Sequence, residues 1–204
     1  MLQRLFRQFS GPEENLLGHL AGWLMVRKNG GNNAFLVEQL GAKAGDRVLE
    51  VGFGPGLGVE LHLARGAFVS GVDRSPLMVR KASARVARAV REGRADLRVG
   101  SAEALPFADA SFTHAMALNS LQFWPSVERG LRELHRVLVP GGRLALGQRL
   151  FKESAGRFDR SRFGMTGEQL AALQDTLRRV GFRDVAVARR AIGDEVLAAI
   201  TASR

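Results

Sequence analysis

The sequence predicts an α/β fold: a doubly wound sheet of seven strands, mostly parallel with an antiparallel last strand, preceded by N-terminal helices. Three observations predict it. Short runs of branched apolar residues alternate with amphipathic stretches from residue 46 onward. The connections are short, which favours right-handed crossovers between neighbouring parallel strands. The last two runs are joined by a turn around Gly193, and such a hairpin makes the last strand antiparallel.

Each strand is predicted from a short apolar run, and the seven runs cover residues 46–51, 67–73, 96–100, 111–118, 143–150, 184–190 and 195–203. Helices fill the gaps between them, at about 56–65, 76–91 and 125–138, with a fourth between Thr166 and Gly181. Ser75 followed by proline predicts the start of the second of these helices. Thr166 and Gln169 form a capping-box pattern, and Gly181 is a typical helix stop.

The first 45 residues differ from the rest and are predicted to form a helical extension that covers the substrate side of a domain spanning 46–204. Two helices are expected there, at about 13–28 and 33–42. The turn signal of residues 30–33 separates them, and Asn33 caps the second. The apolar run 16–26 is shorter than the roughly 20 residues that span a bilayer, so we expect no stable membrane insertion.

Composition excludes several kinds of chemistry. The chain of 204 residues has no cysteine, which rules out disulfides, thiolate nucleophiles and cysteine-ligated zinc and fits a cytoplasmic protein. No metal-binding motif is present, so we predict no metal site. The net charge of +10 has two readings: a polyanionic partner, or arginines spread over solvated helix faces. The basic stretch 74–98 keeps a nucleic-acid-binding role as an alternative.

The loop after the first strand carries the strongest functional signal. It runs from Glu50 to Gly58 with glycines spaced G-x-G-x-G, whereas a dinucleotide site needs G-x-G-x-x-G. Ligands of open α/β sheets bind at the carboxyl ends of the strands, where this loop lies. A carboxylate at the strand end would suit a ligand with an amine and a sulfonium better than a pyrophosphate.

Asp73 ends the second strand, 19 residues after Gly54. A carboxylate at this point can accept hydrogen bonds from both hydroxyls of a ribose. The alternative is an aspartate that only caps the next helix or stabilises a turn.

Four segments resemble motifs of the class I S-adenosylmethionine-dependent methyltransferases, in particular the type 11 group that includes ubiquinone and menaquinone biosynthesis enzymes. In chain order they are VLEVGFGPG, VSGVDRSPLMV, GSAEALPFADASFTHAMALNSLQF and ELHRVLVPGGRLAL. The resemblance implies a Rossmann-like fold and methyl transfer from S-adenosylmethionine to a small-molecule acceptor, with S-adenosylhomocysteine as the product.

The resemblance also implies which residues bind the cofactor. The methionine part would be held around the first loop, the ribose by the acid of the second strand, the adenine after the second and third strands, and the sulfonium at the end of the fourth strand. The corresponding residues are Glu50, Gly52, Phe53, Gly54 and Gly56; Asp73; Arg74, Ser101, Ala102 and Glu103; and Ala117, Leu118 and Asn119. Ser101 stands where the family often has aspartate.

The acceptor side is predicted from four residues: His19, Trp23, Gln122 and Phe123. Related enzymes often have histidine where Gln122 stands, and an amide can orient a substrate but cannot act as a base. We therefore assign no catalytic residue and expect methyl transfer mainly by positioning. The alternatives are a nucleic-acid-binding or RNA-methylating protein and a non-catalytic relative that binds the cofactor. The sequence leaves monomer and homodimer open, as well as the acceptor and the atom that is methylated.

Overall fold

The computed structural model of the protein describes residues 29–152 and 164–204. The helix predicted at 13–28, with His19 and Trp23, lies outside the described residues. Within the described ranges, no helix is long and apolar enough to cross a membrane.

Seven strands form one sheet in the order β3-β2-β1-β4-β5-β7-β6. Neighbours from β3 to β5 pair in parallel, and β7 runs antiparallel to both β5 and β6. The predicted fold class is therefore confirmed. The strands are β1 Arg47–Val51, β2 Phe68–Asp73, β3 Ala95–Val99, β4 Phe112–Leu118, β5 Leu138–Arg149, β6 Arg183–Ile192 and β7 Glu195–Ser203.

Helices cover both faces of the sheet. The described helices are α1 at residues 29–40, α2 Leu57–Ala64, α3 Pro76–Arg85, α4 Ala87–Arg91, α5 Val127–Val137 and α6 Gly167–Val180. One buried cluster packs the helices α1, α2, α3 and α4 against one face of the sheet. A second cluster packs α5 and α6 against the other face. Ser75 caps α3, and Thr166 with Gln169 forms the predicted capping box of α6.

The predicted turn at residues 30–33 is wrong, because residues 29–40 are helical throughout. Asn33 does not cap a helix: its side-chain amide donates to the carbonyl of Asn29, 2.9 Å away, within α1. Phe35 and Leu36 are buried against the sheet. That burial stabilises the helix and outweighs the weak local preference of glycine and asparagine for a turn.

Two further boundaries differ from the prediction. The helix predicted at 76–91 is divided at Val86 into α3 and α4. Strand β5 begins at Leu138 rather than at 143, because Leu138 pairs with Phe112 of β4 and the main chain of Arg204 pairs with Gly141 and Gly142. A short 3₁₀ turn, Leu121–Phe123, follows β4 and was not predicted.

The order of the strands determines where a ligand-binding site is expected. Strand β1 lies between β2 and β4, and the order reverses there, from β2 and β3 on one side to β4 and β5 on the other. The carboxyl ends of β1, β2 and β4 consequently meet at the switch point, where open α/β sheets bind their ligands.

Candidate functional site

The glycine loop between β1 and α2 depends on residues without a side chain. Gly52, Gly54 and Gly56 have φ angles of 75°, 54° and 85°, in the left-handed region that favours glycine. A Cβ atom on Gly52 would lie 2.6 Å from Cβ of Ser120, and one on Gly56 would lie 2.8 Å from Cβ of Ala82. The main chain therefore turns tightly between two neighbouring elements and stays accessible to a ligand.

Asp73 is tied to the glycine loop. Its Oδ2 accepts from the amide of Gly54 at 2.8 Å, and its Oδ1 accepts from the amide of Ser75 at 2.9 Å. Burial raises the pKa of Asp73, while these two hydrogen bonds and the nearby Arg74 act in the opposite direction. Each carboxylate oxygen keeps a further lone pair. The aspartate can thus stabilise the turn and still accept hydrogen bonds from a ribose.

Glu50 is buried beneath α2 and is only 2% exposed. A Cβ atom on Gly58 would lie 2.5 Å from its Oε1, so the absence of a side chain there leaves room for the carboxyl group. Oε2 has no hydrogen-bond partner among the described residues. Burial, with a smaller contribution from the charge of Asp73, raises the pKa of Glu50 to about 8. A buried carboxyl without a partner beside a glycine cradle fits a ligand that carries a positive charge.

Phe53 contributes to the site only through its main chain. Its side chain is buried, and a Cβ atom on Gly71 of β2 would lie 2.6 Å from the ring. The ring therefore packs over β2 and holds the glycine loop against the sheet. Its carbonyl accepts from the amide of Gly56 at 3.0 Å, which helps to close the turn.

Ser101, Glu103 and Arg74, which were predicted on the adenine side, each have a partner within the protein, although Oε1 of Glu103 is buried without one among the described residues. The amide of Glu103 donates to Ser101 Oγ at 3.3 Å, and the Glu103 carboxylate accepts from Arg129 at 3.2 Å. Ala102 is buried between them. Arg74 donates to the carbonyl of Phe123 at 2.9 Å and so links the end of β2 to the 3₁₀ turn after β4.

Residues after β4 come together beside the glycine loop, where the Ser120 hydroxyl donates to the carbonyl of Val51 at 3.1 Å. Ala117 is buried, whereas Leu118 and Asn119 are half-buried at the strand end. The Asn119 carbonyl accepts from the Gln122 side chain at 2.8 Å. The structure thus brings the residues predicted near the sulfonium next to the loop predicted for the methionine part.

Three residues at this edge of the sheet were not predicted from the sequence as site residues. Ser120 holds the glycine loop, and Gln148 and Arg149 are buried polar residues at the carboxyl end of β5. The signal was present, because polar residues that end a central apolar strand point to the ligand-binding edge of a parallel sheet.

None of the three histidines in the described ranges lies at this edge. His62 is buried beneath the sheet with Nε2 3.1 Å from the sulfur of Met116, and burial lowers its pKa to about 4. His114 Nδ1 lies 3.7 Å from the carboxylate of Asp46, close to the start of β1. His135 packs edge-on against the ring of Phe182. The described histidines are therefore structural.

The basic stretch 74–98 forms ion pairs within the protein. Arginines 85, 88, 94 and 98 lie 2.6 to 3.0 Å from carboxylates, in the pairs Arg85–Glu60, Arg88–Glu92, Arg94–Glu92 and Arg98–Asp96. These are partly or fully exposed surface pairs. Four of the eight basic residues of this stretch are therefore held in ion pairs within the protein, and nothing in its geometry favours the nucleic-acid alternative.

Fold and site together define the class of the protein: an α/β domain with a glycine loop after β1 and an acid at the end of β2, both at its switch point, as in the class I methyltransferases. Residues 49–146 match the family model described as "Methyltransferase domain", and this part of the chain belongs to that family. The predictions of an S-adenosylmethionine-dependent methyltransferase and of its cofactor are confirmed at this level.

Known proteins agree with this assignment. The chain is 29% identical to the uncharacterized methyltransferase YdaC of Bacillus subtilis, over 91% of its own length and 98% of that protein. It is 38% identical to 27-O-demethylrifamycin SV methyltransferase of Amycolatopsis mediterranei, over 58% of its length but only 44% of that enzyme. The structure of the cyclase SpnF superposes with a TM-score of 0.70 at 21% identity, over 86% of this chain and 80% of that one, which shows the fold alone.

Proposed function

We propose that the protein transfers a methyl group from S-adenosylmethionine to a small-molecule acceptor, mainly by holding the acceptor in line with the methyl group. The hydrogen bond between Gly54 and Asp73 carries this proposal, because it joins the glycine loop to the acid that would bind the ribose. The unpaired carboxyl of Glu50 supports it, since it suits a cationic ligand.

Each part of the cofactor has proposed partners. The main chain at Gly52, Gly54 and Gly56 would surround the methionine part, near the carboxyl of Glu50. Asp73 would accept the ribose hydroxyls, and the buried Ala102 would border the adenine. S-adenosylmethionine supplies an electrophilic methyl group on its sulfonium. The residues after β4, in particular Asn119, would hold the reacting centre.

Amide groups rather than a base occupy the described acceptor edge. Asn119 and Gln122 can orient a nucleophile by hydrogen bonds but cannot accept its proton. Positioning can supply a large share of the rate of a bimolecular transfer. The name of the Amycolatopsis relative supports a small-molecule acceptor.

Calorimetry with S-adenosylhomocysteine tests the cofactor site. We expect saturable binding at one site per chain, and no binding at millimolar concentration would contradict the proposal. Methyl transfer is then measured with labelled S-adenosylmethionine and a broad library of small acceptors. A non-catalytic relative would bind the cofactor but label no acceptor, which separates that alternative from an enzyme.

We propose that residues 1–45 cover the acceptor side of the site. Helix α1 supports this, because Leu36 packs on β5 at Gly147.

We propose that the enzyme works in the cytoplasm, which a chain without cysteine fits. Sedimentation would decide between the monomer and the homodimer.

A further inference from the structure

A buried arginine ends β5, on the acceptor side of the proposed methyl-transfer site. Arg149 is 8% exposed, and its amide donates to Oδ1 of Asn119 at 2.9 Å. Its Nε lies 2.7 Å from a carboxylate oxygen of Glu195, at the start of β7. Despite that ion pair, Nε of Arg149 makes no hydrogen bond, and neither Nη2 of Arg149 nor Nδ2 of Asn119 has a hydrogen-bond partner among the described residues, although all three atoms are buried.

Ideal helix and strand geometry place Asn32 of α1 at about the level of this arginine. Helix α1 runs antiparallel to β5, since Arg143 donates to the carbonyl of Gln39 and a Cβ on Gly147 would lie 2.9 Å from Leu36. One helical turn of about 5.4 Å leads from Leu36 to Asn32. Two strand residues, about 6.6 Å, lead from Gly147 to Arg149 on the same face.

The amide of Asn32 is unsatisfied. The residue is 1% exposed, and neither its Nδ2 nor its Oδ1 finds a partner in the described part of the chain. A buried polar group without a partner is destabilising, and such groups in native proteins call for an explanation. Three such side chains at one edge of the sheet indicate a site built for a polar ligand.

We infer that Asn32, Asn119 and Arg149 form a subsite that binds the methyl acceptor through an uncharged oxygen, a carbonyl or a hydroxyl. The inference rests on the proposed function, whose acceptor it describes more closely. The free groups are chiefly N–H donors, which require an acceptor atom on the ligand.

Charge decides between a neutral oxygen and a carboxylate. Glu195 already balances the guanidinium of Arg149. A carboxylate ligand would bring a second negative charge into a buried pair that is neutral overall, at the cost of its own desolvation. A carbonyl or hydroxyl oxygen satisfies the N–H groups without that cost.

The inference is tested with three simple probes: acetophenone, benzoate and ethylbenzene. Each is titrated by NMR into the full-length protein saturated with S-adenosylhomocysteine, and Nε–H of Arg149 is followed. We expect acetophenone to bind about tenfold more tightly than either other probe, the factor that a hydrogen bond to a charged donor typically contributes. Equal or tighter binding of benzoate, or no binding of any probe, would overturn the inference.

Glu195→Gln provides the charge test. Removal of the countercharge leaves Arg149 with a net positive charge, so the preference for acetophenone over benzoate should fall by about tenfold. Glu38→Gln is the matched control, because Glu38 pairs with Arg190 at 2.8 Å on an exposed surface, and it should leave the preference unchanged. An unchanged preference in Glu195→Gln would also overturn the inference.

Asn32→Leu gives a second, independent measure. Replacement of an unsatisfied buried amide by an apolar group of similar size should raise the melting temperature and abolish the preference for acetophenone over ethylbenzene. A lower melting temperature with the preference retained would contradict the subsite. Calorimetry with S-adenosylhomocysteine on the same samples distinguishes failure of the proposed function from failure of the subsite. Loss of S-adenosylhomocysteine binding contradicts the proposed function. Binding of S-adenosylhomocysteine without selectivity for an oxygen probe contradicts only the subsite.

Discussion

The main-chain amide of Gly54 donates a 2.8 Å hydrogen bond to Oδ2 of Asp73. This bond joins the loop after β1 to the end of β2, two neighbouring strands of the sheet. The two parts of the proposed cofactor site are therefore held in one geometry by a single side chain, which also receives the amide of Ser75.

Asp73→Asn should weaken the binding of S-adenosylhomocysteine by about 10- to 100-fold, since charge-assisted hydrogen bonds contribute roughly 1.5 to 3 kcal/mol. The amide can accept through only one of its two terminal atoms. It therefore loses one of the bonds from Gly54 and Ser75, as well as part of its capacity for the ribose. Calorimetry measures the change.

Asp175→Asn is the control for this substitution, because that aspartate lies exposed on α6 and pairs only with Arg178 among the described residues. Its affinity for S-adenosylhomocysteine should equal that of the wild type. An unchanged affinity in Asp73→Asn would show that the acid has no part in binding the ribose.

Gly56→Ala should destabilise the protein and weaken cofactor binding. A left-handed φ of 85° costs a residue with a Cβ about 1 to 2 kcal/mol. The added Cβ would also lie 2.8 Å from Cβ of Ala82 in α3 and would have to displace it, at a further cost of about 1 kcal/mol or more. Urea unfolding measures the free-energy change.

Two variants separate the backbone cost from the clash. Gly45→Ala has nearly the same φ, 86°, and nothing within 4 Å of the new Cβ, so it shows the backbone cost alone. The double variant Gly56→Ala with Ala82→Gly should recover part of the loss. Equal destabilisation by Gly45→Ala and Gly56→Ala would refute the close approach of the loop and α3.

Glu50→Gln should change how stability depends on pH. The pKa of Glu50 is raised by burial from its ordinary 4.5 to about 8. The cofactor-free folded protein thus holds a proton on Glu50 that the unfolded chain releases, so the stabilising contribution of this carboxyl is full below pH 4.5 and is lost by about pH 8. His62, whose pKa is lowered to about 4 by burial, acts in the opposite direction below its ordinary 6.5, so the effect of Glu50 is the difference between wild type and Glu50→Gln. The loss is on the order of a few kcal/mol, at about 1.4 kcal/mol per unit of pKa difference.

Thermal unfolding between pH 5 and 8.5 measures this slope. Glu50→Gln should lose most of the decline, because the amide stays neutral throughout. The exposed Glu168→Gln should keep the wild-type slope. If wild type and Glu50→Gln declined in parallel, Glu50 would not be protonated in the folded protein.

Arg74→Ala should speed the dissociation of S-adenosylhomocysteine by about three- to tenfold, the effect of losing one hydrogen bond of roughly 0.5 to 1.5 kcal/mol. Its guanidinium ties the end of β2 to the carbonyl of Phe123 after β4, on either side of β1. Stopped-flow displacement measures the rate. Arg132→Ala on the exposed face of α5 should leave it unchanged. A wild-type rate in Arg74→Ala would show that the link does not retain the cofactor.

Much of the fold could be predicted because its signals are local. Apolar runs mark the strands, Ser75 and Thr166 mark helix starts, and Gly52, Gly54 and Gly56 mark a tight loop with positive φ angles. Where local signals were weak, packing prevailed: Asn33 is helical because α1 buries its apolar face on the sheet. The early start of β5 depends on pairing of Leu138 with Phe112 and of Gly141 and Gly142 with Arg204, which no local pattern reveals.

The sequence by itself determined the sheet, the glycine loop and the position of Asp73, and with them the methyltransferase family and its cofactor. The sheet, the loop and the acid follow from spacing and turn chemistry, which neighbouring residues carry, and the family and its cofactor follow from the resemblance of four motifs. Only the tertiary structure decided that Oε2 of Glu50 is buried without a partner, that the amide of Asn32 is unsatisfied and that Arg149 pairs with Glu195. Burial and pairing between residues far apart in the chain arise from packing, so the groups proposed to select the acceptor became visible only in three dimensions.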